Sequence, residues 1–274
     1  MDNGPLNKVN GSDPNYDTFI EFAKWLSDNK GLGQHNHPAR TSSGTDFSNP
    51  TNVNETWIPL VEMVNQQGGT SNTTQTYYWH WNYWWNCSTG SGCTTYPNPK
   101  GSGLQGVGGT GWVKYALDKG YHLGFIGGSD YHGTYEFTPR VYTGLVNPPN
   151  FTRSGIFETL KKRHTWVAED KIFMSITAYN GSDILVMGDI FNTTIQNFYI
   201  NYSINGTTGT NTVNVSFFFD GIIRNLTKFS GQQNVIGYFN YTLPDNKEHY
   251  MFVEATQSNG RRAWSSPMYV TYSP

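Results

Sequence analysis

The spacing of apolar residues changes near Lys171, and that change constrains the fold more than any other feature of the chain. Before it, helix-like stretches at 18–29, 111–118 and 154–162 alternate with strand-like runs at 31–37, 57–65 and 121–127. After it the period is two. Runs at 173–178, 197–204, 213–219, 237–242, 249–254 and 268–272 alternate or stay apolar, with turn signals between them at Asn180-Gly181, Asn205-Gly206, Asp220-Gly221, Pro244-Asp245 and Asn259-Gly260. The expectation is α/β plus all-β: a partial β/α barrel over residues 1–170, then an immunoglobulin-like β-sandwich over 171–274. A sheet of three strands with helices on it is about half a barrel, which leaves strand edges open. Thr18-Phe19-Ile20-Glu21 has the pattern of a helix capping box.

Two irregular features interrupt the first part. Residues 66–110 form an insertion rich in Gly, Thr, Asn and aromatics, and long stretches of that kind are usually functional. Inside it, Tyr77-Tyr78-Trp79-His80-Trp81-Asn82-Tyr83-Trp84-Trp85 reads either as a strand covering a barrel edge or as a sugar-binding or subunit-contact surface. Cys87 and Cys93 bracket a five-residue flexible loop and are expected to form a disulfide, as an oxidising compartment favours.

The candidate chemistry sits at strand ends. Gly128-Ser129-Asp130-Tyr131-His132 follows a strand-like run, and residues two apart on a strand share a face. Asp130 and His132 thus offer a carboxylate and an imidazole to one divalent metal such as Zn, Mn or Fe. Gln34-His35-Asn36-His37-Pro38 ends an earlier strand, and Leu60-Val61-Glu62-Met63 lies within another. Glu62 on an apolar strand needs a metal or an Arg partner. His37 is the stronger ligand of its pair and His35 the second. His122, His164 and His249 read as structural. Arg40 and Arg140 follow the ligand motifs and are candidates for phosphate binding, with simple ion pairing as the alternative.

These pieces, in this order, resemble the polymerase-and-histidinol-phosphatase (PHP) family of metal-dependent phosphoesterases, in its surface-associated branch. Asn36-His37-Pro38 is similar to the family's His-Pro ligand strand, and the helix before it carries Trp25-Leu26. Ala116-Leu117-Asp118-Lys119-Gly120 followed by the Gly128 motif resembles the last metal motif. Residues 156–166 are similar to the helix that closes the domain, and Met187-Gly188-Asp189 with Ala263-Trp264-Ser265-Ser266-Pro267 to the β-rich tail after it. The resemblance implies a seven-stranded β/α barrel, two or three metals, and a metal-activated water attacking phosphorus. The family's first His-x-His has no counterpart, since no His precedes His35. The chain is therefore expected to be the C-terminal part of something larger, or a reduced scaffold, and not catalytic alone. The competing reading is a structural glycoprotein of a cell surface or extracellular filament.

Composition bears on location and partners. Among 274 residues, 14% are charged and the net charge is −2. With no basic stripe, nucleic acid is excluded as a partner, and no apolar run is long enough for a membrane span. Asn-x-Ser/Thr sequons stand at Asn10, Asn54, Asn72, Asn86, Asn150, Asn180, Asn192, Asn201, Asn205, Asn214, Asn225 and Asn240. Their number favours N-linked glycans and an extracellular or cell-surface location. The N-terminus is polar and is not a secretory signal, which points to an absent N-terminal part. That missing segment, or neighbouring copies of the chain, is the expected partner, with carbohydrate contact through the aromatic insertion.

Overall fold

Thr18 starts the first helix as its sequence suggests. Its hydroxyl accepts from the Glu21 amide at 3.2 Å, and the Glu21 carboxylate accepts from the Thr18 amide at 3.2 Å. The computed structural model describes residues 18–36, 38, 45–67, 78–81, 113–128, 141–146 and 151–274. Its elements run α1 (Phe19–Asp28), β1 (Gln34–His35), a 3-10 turn (Pro50–Asn52), β2 (Leu60–Gln67), β3 (Tyr78–Trp81), α2 (Val113–Asp118), β4 (Gly124–Gly128), β5 (Tyr142–Leu145), α3 (Arg153–Lys161), β6 (Thr165–Ala168), β7 (Phe173–Asn180), β8 (Asp183–Val186), β9 (Ile190–Thr193), β10 (Asn197–Asn205), β11 (Thr212–Phe219), β12 (Ile222–Lys228), β13 (Asn234–Thr242), β14 (Glu248–Gln257), β15 (Arg262–Ser265) and β16 (Met268–Tyr272).

The N-terminal sheet is small and mostly parallel. β2 takes β4 in parallel along one edge. Its other edge is shared by β1, parallel at Leu60 and Val61, and β3, antiparallel at Val64–Gln67. Tyr78–Trp81, within the aromatic run, is a strand on the β2 edge.

Two further sheets follow. β13, β10, β7 and β8 form an antiparallel sheet of four. The eight-stranded sheet runs β12-β11-β14-β15-β6-β5, with β16 also pairing β14, and β9 pairing β16 in parallel. The four-stranded sheet packs on one face of the larger one through Ile176, Phe198, Ile200, Phe217, Val253 and Val270. This is the β-sandwich read from the sequence. Its hairpin at Asp220-Gly221 has φ of +49° and +70°, as a two-residue type I′ turn needs.

The other face of the eight-stranded sheet is covered too. Phe218, Tyr250, Phe252, Trp264 and Tyr269 pack against Val61, Met63, Phe125 and α2. The molecule therefore has three layers, with the large sheet in the middle. β5 and β6 belong to that sheet, so hydrogen bonding runs across residue 170 without a break. Residues 156–166 are not one helix. α3 stops at Lys161, Arg163 takes a left-handed φ of +61°, and Thr165–Ala168 pairs with β15. β-Branched and aromatic side chains at Thr165, Trp166 and Val167 suit that strand. Helix–strand alternation with parallel pairing is present in the N-terminal layer. Among the described residues it does not close into a barrel.

The edge of β4 away from β2 is covered by side chains. Gly124 turns its N–H to Pro59 on the β2 side, so Leu123, Phe125 and Gly127 present their backbone groups to the opposite edge. The Leu123 N–H donates to the Tyr269 hydroxyl at 2.7 Å, and that hydroxyl donates to the Leu123 carbonyl at 2.9 Å. Burial pushes the Tyr269 phenol pKa up, which keeps the proton needed for this exchange. Phe125 donates to Ser266 Oγ and accepts from Thr165 Oγ1, both at 2.8 Å. Gly127 makes the same pair of bonds with Thr143 Oγ1, at 3.0 and 3.1 Å. Side-chain hydroxyls on or beside the middle sheet thus take the place of a neighbouring strand, and at Leu123 and Phe125 they satisfy groups that burial would otherwise orphan. The chain itself covers this edge of β4.

Candidate functional site

Described residues beside the three candidate segments, Asn36, Glu62 and Gly128, lie close together. β1 and β4 both run parallel to β2, which they flank, so Asn36 follows β1 at the same end of the sheet where Gly128 closes β4. Glu62, 2% exposed, lies between them on β2. The Asn36 side-chain nitrogen donates to both Glu62 oxygens at 3.2 Å. On the other side, a Cβ at Gly128 would fall 3.0 Å from Glu62 Oε1, so the glycine makes room for the carboxylate. Carboxyl ends of parallel strands are where open α/β sheets usually bind ligands.

His35 does not join this group. It is in register with Val61, one residue out of phase with Glu62, and adjacent strand positions face opposite ways. Its ring is 1% exposed, with Phe47 at 5.1 Å and Phe19 at 5.6 Å, and its Nδ1 lies 3.3 Å from Thr45 Oγ1. Burial lowers its pKa to about 4, so it is neutral at pH 7. The expectation that His35 and Glu62 serve one metal is corrected by this phase difference. Among the described residues no three His, Cys, Asp or Glu side chains gather as a metal site. His37, Asp130, His132, Arg40 and Arg140 lie outside the described residues, as do Cys87 and Cys93. Glu62 has the carboxylate oxygens that a divalent cation takes, whereas His35 faces away from it.

The sequons divide in the same way. Asn10, Asn72, Asn86 and Asn150 lie outside the described residues. Asn192, Asn201, Asn205, Asn225 and Asn240 are exposed, and Asn54 and Asn214 half-buried. Asn180 is buried, and its amide nitrogen donates to the carbonyls of Ile195 and Asn197, each at 2.9 Å. Its oxygen accepts from the Thr193 hydroxyl. A sugar on that nitrogen is incompatible with these bonds, so Asn180 acts in the folded chain as a turn clamp.

Sequence reading set three histidines aside as structural, and the geometry gives each an acidic partner. His164 Nε2 lies 2.8 Å from Asp189, and His249 lies 2.7 Å from Asp220 and 3.0 Å from Asp245. His122 joins two layers: Nδ1 is 3.0 Å from Glu55 before β2, and Nε2 is 2.9 Å from Glu248 on β14. Burial pulls the His122 pKa down, but the two carboxylates outweigh it and hold it above the ordinary value. One polar group went unnoticed. Glu254, buried in β14, accepts from Trp264 Nε1 at 2.7 Å with the Arg262 guanidinium 3.8 Å away. Burial raises its pKa against that pull. Its β14 stretch reads as ordinary core strand, so only pairing with β15 could reveal it.

Comparison with known proteins adds little. No family model matches the chain, and no curated protein matches it. One solved structure, the neutron crystallographic structure of a Jonesia denitrificans lytic polysaccharide monooxygenase, is similar over 31% of this chain at 18% identity, with a TM-score of 0.24. The match spans 57% of that chain. A likeness of that size carries no argument about fold or chemistry. No described helix is long and apolar enough to cross a membrane.

Proposed function

We propose that the chain is an extracellular glycoprotein built on a PHP-like scaffold, with a divalent-metal and phosphate site at the carboxyl ends of β1, β2 and β4. The observation that supports this reading is that Asn36 and Gly128, which adjoin two of the motifs, lie against buried Glu62. Glu62 would hold the metal together with His37, Asp130 and His132, and Arg40 and Arg140 are placed by sequence to contact a phosphate. A bound metal would polarise phosphate oxygens and lower the pKa of a bound water. Asn36 orients the Glu62 carboxylate, and Gly128 leaves it space. The chain alone lacks the family's first His-x-His, so binding without efficient turnover is the expected behaviour. The PHP-type barrel and the immunoglobulin-like character of the sandwich belong to the same proposal.

A structural role at a cell surface is the second reading, favoured by the exposed sequons at Asn192, Asn201, Asn205, Asn225 and Asn240. One experiment separates the two. Mn²⁺ and Zn²⁺ binding is measured by calorimetry on the native chain, Glu62→Gln and His132→Ala, alongside hydrolysis of p-nitrophenyl phosphate. Binding that both variants weaken, with negligible turnover, supports the proposal. Metal-dependent turnover abolished by His132→Ala restores a full enzyme. No metal binding leaves the structural reading.

A further inference from the structure

The outer face of the four-stranded sheet is exposed, and its residues are aromatic, aliphatic or uncharged polar. Strand alternation places Phe173, Ser175, Thr177 and Tyr179 of β7, the odd-numbered positions of β10 and the even-numbered positions of β13 on it, and none of these is charged. Tyr199, Tyr238 and Phe173 are 55%, 62% and 58% exposed there. Single exposed apolar side chains need no explanation, but a set arranged in register does.

The arrangement follows the sequons. Tyr199-Ile200-Asn201-Tyr202-Ser203 on β10 and Tyr238-Phe239-Asn240-Tyr241-Thr242 on β13 repeat one pattern, Tyr-apolar-Asn-Tyr-Ser/Thr. The strands are antiparallel, with Asn201 opposite Tyr238 and Asn240 opposite Tyr199. Each Asn therefore has one tyrosine directly across and the other two residues before it on the same face. The third sequon on this face, Asn205, is opposite Phe173. The face also carries Asn197 and Asn234, which lie outside any sequon. Asn197 is opposite Thr242, and Asn234 opposite Asn205. Only sequon asparagines have an aromatic partner. Directly opposed side chains lie about 4.5–5.5 Å apart at Cβ, which puts each ring beside whatever its Asn bears.

From this we infer that Asn201 and Asn240 carry N-linked sugars, and that Tyr238 and Tyr199 are the rings against which the first sugar of each rests. The apolar face of a pyranose stacks on an aromatic ring, and its hydroxyls meet the neighbouring Ser, Thr and Asn side chains without a charge to desolvate. The glycan is thus the cover of a sheet face that the other described residues leave open. The inference rests on the glycoprotein reading above and is independent of the strand-end metal site.

The test uses the full chain made in an N-glycosylating host and, separately, in a host that adds no sugar. Glycopeptide mass spectrometry gives the occupancy of Asn192, Asn201, Asn205, Asn225 and Asn240. Thermal unfolding compares the native chain with Tyr199→Ala and Tyr238→Ala in both forms. The expected result is occupied Asn201 and Asn240, and a Tm lowered by about 2–4 °C per ring in the glycosylated form only. Asn192 or Asn225 occupied with Asn201 and Asn240 bare overturns the inference and leaves the glycoprotein reading standing. Every sequon bare overturns both. Occupied sites with equal Tm losses in the two forms overturn the stacking role, because the rings would then serve the protein alone.

Discussion

The two sheets of the sandwich are buried in different ways. β10, in the smaller sheet, alternates exposed and buried along nearly its whole length. β14, in the larger sheet, is buried at almost every position from His249 to Gln257. Both are antiparallel and of similar length, so strand pairing does not separate them. The smaller sheet has one wet face. The larger has the sandwich core on one side and the N-terminal layer on the other. Continuous burial is usual for parallel sheets covered by helices; here an antiparallel sheet reaches it by lying in the middle of three layers.

That difference can be broken most directly at Phe252. Its ring stacks on Phe218 at 4.6 Å and meets Phe125 edge-on at 5.5 Å, so it ties the middle sheet to the N-terminal layer. Phe252→Ala is expected to cost about 3–5 kcal/mol in denaturant unfolding. Ile236→Ala on the open face, 80% exposed, should stay within about 0.5 kcal/mol without sugars. Equal losses at the two positions would mean that the layers are not packed as described.

A smaller effect sharpens the account of the β4 edge. Ser266→Ala removes the acceptor of the Phe125 N–H and should cost about 1–3 kcal/mol, the usual penalty for a buried group left unpaired. Tyr269→Phe does the same at Leu123 while keeping the ring. Amide hydrogen exchange at Leu123 and Phe125 should speed up in the respective variants. Unchanged exchange would show that the hydroxyls are incidental to this edge.

The smallest expected effect is pH dependence, and groups of the N-terminal layer carry opposite signs. His122, raised by Glu55 and Glu248, contributes stability that is full below its ordinary 6.5 and is lost as pH rises through its folded value. Glu55, lowered by His122 despite burial, contributes above 4.5 and loses it as pH falls through its folded value. His35, lowered to about 4, favours the fold above 6.5 and destabilises it progressively between 6.5 and 4. Urea midpoints against pH should lose their alkaline decline in His122→Gln and part of their acid decline in His35→Gln. An alkaline limb that survives His122→Gln would remove the interlayer role of that residue.

Local order was legible where one local rule decided the outcome. The helices at Phe19–Asp28, Val113–Asp118 and Arg153–Lys161 follow from caps and apolar spacing, and β7, β10, β13 and β16 from period two with turn residues between. β5, β6, β9 and β15 are four residues each, too short to show a period, and they exist because neighbours offer an edge. The candidate site divides along the same line. Asn36, Glu62 and Gly128 lie together because parallel β1, β2 and β4 are neighbours, whereas the expected ligands beside them, His37, Asp130 and His132, lie outside the described residues. That His35 and Glu62 face opposite ways depends on register, which composition does not encode.

The sequence by itself determined the switch from helix–strand alternation to alternating strands, the Thr18 cap, the Asp220-Gly221 hairpin and the order of the motif segments, because each depends on residues near one another in the chain. Only the tertiary structure decided that the two halves share a sheet, that Asn180 is a buried clamp, and that Tyr269, Ser266, Thr165 and Thr143 complete the edge of β4. Those outcomes depend on which groups distant in the chain must exclude water together. A buried N–H or C=O takes whatever partner the packed layers place beside it.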